Sequence, residues 1–178
     1  MKSKISTGLL TGLVVSAIAN TIVAQPSHAG NSQFFCGILN RQPVTLMRTV
    51  RGNAVMIRWV SNNYFPPPWT AQRRCQEVAV RFQRNYDNGN LKYIKPGRLN
   101  GEPVVCAAFK TSDSCTTRTL LFTLKRGANP DQTLRTLMDR GGLRAGYILS
   151  EDGSASIDMD VYLDEATVEE NVAPIENE

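Results

Sequence analysis

Four cysteines, Cys36, Cys75, Cys106 and Cys115, follow an N-terminal stretch organised like a secretory leader, and this combination constrains the fold more than any other feature of the chain. Lys2 and Lys4 make a basic start. Residues 5–23 carry no charge, residues 9–19 form a dense apolar run, and Ser27 and Ala29 put small residues at the −3 and −1 positions of a cleavage site. Residues 1–29 are therefore expected to be removed on export, the alternative being an uncleaved N-terminal anchor. In an oxidising compartment an even cysteine count predicts two disulfides, with three connectivities open. Cys106–Cys115 is favoured because the two flank a short loop, which leaves Cys36–Cys75. Each bridge is expected to stabilise the fold by roughly 3–4 kcal/mol. Zinc is disfavoured, since neither a CxxC pair nor a histidine accompanies the cysteines.

The single histidine of the chain, His28, falls inside the leader. A Ser-His-Asp triad, a Cys-His pair and a HExxH zinc site all need an imidazole, so none can be built from residue 30 onward. With both disulfides formed, no thiol nucleophile is left either. Charge divides the remainder in two. Residues 30–150 hold 18 Lys and Arg against 6 Asp and Glu, whereas residues 151–178 hold 10 acids and no base. Such opposed poles mark an interaction tail or internal neutralisation.

The residues after the leader suffice for one domain with its own core. Residues 34–38, 43–50 and 54–60 read as short strands, the last two joined through Arg51-Gly52-Asn53. Pro66-Pro67-Pro68 stops regular structure, and Thr70 is placed to cap a helix. Ala71, Cys75, Val78, Phe82 and Tyr86 then recur as one apolar stripe, ended by Asp87-Asn88-Gly89. Residues 91–98 and 102–109 form a hairpin around Asn100-Gly101. Pro96 and Pro103 suggest edges or irregular pairing within it. Residues 117–125 make a further strand, and Asn129-Pro130-Asp131 starts a second helix with Leu134, Leu137 and Met138 on its apolar face. Residues 146–150 and 156–163 are expected to pair around Asp152-Gly153, the second as an acidic strand within residues 151–164. From residue 165 the composition predicts a disordered acidic tail. The expected class is α+β: an antiparallel sheet of about five to seven short strands, two helices and two disulfides.

The sequence around the first helix, Trp69-Thr70-Ala71-Gln72-Arg73-Arg74-Cys75-Gln76-Glu77-Val78 followed by Arg81-Phe82, resembles the cyanobacterial circadian oscillating protein family. The likeness continues in order through Gly52-Asn53, Ile57-Arg58-Trp59, Asn100 to Cys106 and Leu120 to Leu124, and covers residues 34–137. Its motif residues here are Trp59, Trp69, Gln72, Arg74, Cys75 and Phe82. The resemblance implies a secreted or membrane-associated protein whose abundance cycles daily. It brings no enzymatic activity.

Candidate binding residues lie on the first helix, where Arg73, Arg74, Arg81 and Arg84 offer planar guanidinium forks suited to phosphate, sulfate or carboxylate. A solvated face pairing locally with Glu77 is the plainer reading. For an exported protein the expected partner is an acidic protein, a lipid headgroup at the membrane periphery or an acidic polysaccharide, rather than nucleic acid. Trp59, Tyr64 and Trp69, beside the proline run, form either an aromatic recognition patch or ordinary packing. Asp158, Asp160 and Asp164 are spaced too widely along a strand to share one calcium ion. No metal or cofactor is expected. The sequence thus favours a non-catalytic, exported structural or interaction protein of the cell envelope or thylakoid lumen. The alternatives are a carboxylate-dependent glycan hydrolase and a secreted protease inhibitor presenting the Cys106–Cys115 loop.

Overall fold

Two short hairpins begin the domain. Strand β1 (Phe34–Leu39) turns into β2 (Gln42–Thr49) through Asn40 and Arg41, both at positive φ, the backbone of a two-residue turn that follows strand twist. β3 (Gly52–Arg58) pairs with β2. The computed structural model describes residues 33–61, 65–140, 147–149, 155–170 and 172–175, with 137–140 and 147–149 given by their backbone alone. The leader, Tyr64, the Gly141-Gly142 stop and the Asp152-Gly153 turn lie outside these residues.

After the proline loop comes helix α1 (Ala71–Asp87). β4 (Tyr93–Leu99) and β5 (Glu102–Ala108) follow, joined at Asn100-Gly101, both again at positive φ. Then come β6 (Leu120–Thr123), α2 (Pro130–Arg140), β7 (Tyr147–Leu149), β8 (Ala155–Asp158), α3 (Met159–Glu165) and β9 (Val168–Glu169). The class is α+β, as the sequence indicates. Among the described residues, however, the strands make two antiparallel sheets rather than one, ordered β1-β2-β3-β9 and β6-β5-β4-β8-β7. β7 falls within the run expected at residues 146–150 and pairs with β8 as expected, whereas β9, two residues long, is too short to leave a periodic signal.

One apolar core lies between the sheets. Phe34, Met47, Met56 and Trp59 from the first sheet meet Ile94, Val105, Phe122 and Ile157 from the second, with Cys75, Val78 and Phe82 of α1 among them. α1 packs on β1 and β2 and also reaches β6, so it bridges the two sheets. Phe34 stacks on Phe82 with ring centroids 5.2 Å apart. Both disulfides form, Cys36–Cys75 and Cys106–Cys115, leaving no free thiol. The first ties β1 to α1; the second closes the β5–β6 connection. Disulfides belong to an oxidising compartment. Among the described residues no helix is long and apolar enough to cross a membrane.

The prolines sit where a ladder has run out. β8 pairs with β4 only at Tyr93 and Ile94, so Pro96 lies past its end. Pro103 precedes the first β6 pairing at Val104.

The acidic end departs from expectation. The alternation of Ile157, Met159, Val161 and Leu163 predicts a strand, but the strand stops at Asp158. Its carboxylate accepts from the backbone N–H groups of Asp160 and Val161 and caps α3. Met159, Tyr162 and Ala166, at helical spacing, turn inward and are buried. Nor are the residues after 165 without structure where they are described. β9 pairs with β3, Val172 joins Phe35, Val44 and Leu46 on the outer face of the first sheet, and Pro174 bridges Gly37 of β1. Enough apolar side chains (Ala166, Val168, Val172, Ile175) are interspersed among the acids to fasten the segment.

Candidate functional site

α1 is fixed at its start, along its face and through its disulfide. The Thr70 hydroxyl accepts from the Arg73 N–H at 3.2 Å, satisfying one of the free donors at the helix start. Ala71, Cys75, Val78 and Phe82 are buried, as their spacing predicts. At the far end the stripe changes. Tyr86 is 42% exposed and meets Phe34 edge-on, while Asn85 takes the buried position and donates to the Arg81 carbonyl at 2.9 Å.

The four arginines of this helix divide into two pairs. Successive helical residues are turned by about 100°, which sets Arg74 and Arg81 almost one above the other and Arg73 and Arg84 on a neighbouring, more exposed line. Arg73 lies over the Trp69 ring, 5.3 Å from its centroid, and Arg84 donates to the Arg118 carbonyl at 3.2 Å. Arg74 is deeper. Its guanidinium lies over both Trp59 and Phe65, 5.1 and 5.4 Å from the centroids, and donates to the Ser61 carbonyl. Burial lowers its proton affinity below the ordinary guanidinium range, yet an arginine remains cationic at neutral pH. Its Nε–H is buried with no acceptor among the described residues. Arg81 donates to the Leu121 carbonyl of β6 at 3.3 Å.

Arg74 and Arg81 open onto one cavity of about 280 Å³. Four aromatic residues line it: Trp59 and Phe65 beside Arg74, together with Trp69 and Phe122. Trp59 is held in place by its indole N–H, which donates to Thr45 Oγ1 at 2.9 Å, and by an edge-on contact with Phe122 at 5.8 Å. Glu77, between the two arginines on α1, lines the same space. Neither arginine forms an ion pair with it among the described residues, so the expected local pairing is absent there.

The predicted residues thus come together only in part. Arg74 and Arg81 share the cavity with Trp59 and Trp69; Arg73 and Arg84 stand outside its lining. Of the motif residues, Cys75 and Phe82 hold α1 from beneath, and Gln72 is exposed away from the cavity. Phe65, Phe122 and Thr123 were not foreseen as lining residues. Phe122 reaches the cavity through the docking of β6 on α1, a pairing across the chain that leaves no local signal. The Cys106–Cys115 loop folds back on itself. Lys95 donates to the Thr111 and Asp113 carbonyls, and the Asp113 carboxylate accepts from the Phe109 and Lys110 N–H groups. Gly97 makes room for the bridge, since a Cβ there would stand 2.5 Å from Cys115 Sγ.

The geometry describes a disulfide-stapled α+β domain with an arginine-floored, aromatic-walled cavity beside its first helix. The chain belongs to the circadian oscillating protein COP23 family, whose profile matches residues 33–164. The match runs past the part recognisable from the motif, through β8 and most of α3, so much of the acidic end is family structure. No curated protein and no solved structure matches the chain significantly.

Proposed function

We propose that this protein is a non-catalytic, exported binding protein of the cell envelope or thylakoid lumen, with daily cycling abundance, that holds an anionic partner through the cavity between Arg74 and Arg81. The observation that carries this reading is the pair of guanidinium groups set into one aromatic-walled space. In such partly desolvated surroundings a charge-assisted hydrogen bond to an anion is worth more than on an open surface. The cavity's described lining holds one carboxylate, Glu77, whereas glycan hydrolysis uses two set about 5–9.5 Å apart. The Cys106–Cys115 loop spends its carbonyls on Lys95, which also favours a binding role for the cavity over protease inhibition by the loop.

Capture from an envelope extract on immobilised protein tests the reading. Bound partner should fall as salt rises from 0.1 to 1 M, where the screening length shrinks from about 10 to about 3 Å. Arg81→Gln should reduce capture several-fold, and Arg98→Gln, which removes the same charge outside the cavity, should not. Equal losses from the two variants would mean that net charge alone is at work and the cavity is not the site.

A further inference from the structure

Glu77 is out of place in a site that merely attracts anions. Glu77 lines the same cavity as Arg74 and Arg81, and among the described residues no cation pairs with its carboxylate. A bare sulfate or phosphate entering there would meet attraction and repulsion together. A ligand that carries an anionic group and hydroxyl donors on one small frame meets neither conflict: its anion takes the guanidinium forks while a hydroxyl donates to Glu77. The walls add a requirement. Arg74 lies over the rings of Trp59 and Phe65, so the flat apolar surface left to a ligand is Trp69, which lines the cavity and suits a flat C–H face with polar groups at its edge. The size adds another, since about 280 Å³ falls just below the roughly 300–1,000 Å³ typical of small-molecule sites. There is room for one ring with its substituents and not for a run of them.

We propose that the cavity beside α1 binds a single carboxylated sugar ring, a uronic-acid unit, stacked on Trp69 with its carboxylate on Arg74 and Arg81 and a hydroxyl on Glu77. This rests on the anion-binding reading above and narrows it to one ligand chemistry. A free sugar acid and the end of an acidic polysaccharide share that chemistry.

Titration of the disulfide-intact protein, followed by tryptophan fluorescence and calorimetry, tests it with five probes: galacturonate, tri-galacturonate, galactose, inorganic sulfate and an acidic peptide. Galacturonate should bind and galactose should bind at least about tenfold more weakly, the loss expected when a charge-assisted hydrogen bond is missing. Tighter binding of tri-galacturonate than of galacturonate would assign the polymer as the source; equal binding would assign the free acid. Arg81→Gln should weaken galacturonate by a similar factor, and Trp69→Ala should weaken both sugars. Glu77→Gln should weaken galacturonate and strengthen sulfate, a reversal of preference within one folded variant that general destabilisation cannot produce. If sulfate or the acidic peptide binds as tightly as galacturonate and Glu77→Gln leaves that order unchanged, the sugar assignment is wrong while the anion reading stands. If no anion binds in an Arg81-dependent way, both are wrong.

Discussion

Burial pushes the Tyr162 phenol well above its ordinary titration range, and its hydroxyl donates to the Val55 carbonyl of β3. The folded state therefore keeps a proton that the unfolded chain releases near pH ~10. Stability from this group is present below that pH and is lost progressively as pH rises above it. Urea unfolding at pH 7 and at pH 10–11 should show the fall. Tyr162→Phe should flatten it, at a cost of about 1 kcal/mol at neutral pH for the lost hydrogen bond. An unchanged alkaline slope in the variant would assign the fall to other groups. Residues of this kind were only partly legible in the sequence. Cys75 and Phe82 announce their burial by spacing. Thr45, fully buried beneath the Trp59 indole and 3.7 Å from Cys75 Sγ, looks like any strand threonine until β2, β3 and α1 are brought together. Glu77 likewise reads as a helix-surface acid, because its neighbours Phe65 and Phe122 come from other parts of the chain.

Among the elements, α1 was the most readable and α3 the least. The helix stripe of α1, its Thr70 cap and its stop all lie within one local window. α3 was obscured because Ile157, Met159, Val161 and Leu163 alternate as a strand would, while the helical set Met159, Tyr162 and Ala166 is interleaved with them. Asp158 as cap and Asp160 in the first turn were the available signal. The two disulfides act on different elements, and that separates their effects. With sequence separations of 39 and 9, chain-entropy arguments give Cys36–Cys75 roughly 4 kcal/mol, and give Cys106–Cys115 roughly 2.5 kcal/mol, below the value expected of each bridge because its loop is so short. Replacing Cys36 and Cys75 by Ala should lower the melting temperature more than replacing Cys106 and Cys115. It should also weaken anion binding, because it frees the helix that carries Arg74 and Arg81. Binding unaffected by the first replacement would show that α1 needs no tether to hold the site.

At the scale of the whole molecule, the opposed charges of the sequence meet, among the described residues, on the first sheet rather than at the cavity. The acidic end docks on the first sheet. Arg51 donates to the Leu163 and Ala166 carbonyls, and Arg58 approaches Glu169 at 3.8 Å. An exposed ion pair of this kind contributes little by itself, and the apolar residues around it carry the docking. The fit is close at Gly37, where a Cβ would lie 2.7 Å from Val172 Cγ1. Residues 168–169 pair with the free edge of β3, and Ile175 donates to the Cys36 carbonyl of β1 at 2.7 Å, so one segment reaches both outer strands of the sheet. Truncation before Thr167 should leave those edges and the Phe35–Val44–Leu46 face open. The shortened protein is expected to self-associate at concentrations where the full chain stays monodisperse, as light scattering would register; a monodisperse truncation would contradict this role for the segment. The same arrangement bears on proteolysis. Trimming from the C-terminus by an exopeptidase would need no cut in the disulfide-stapled core to uncover the edges of the first sheet, so the sheet's resistance to pairing with further copies rests on the segment from Val168 to Ile175 staying intact.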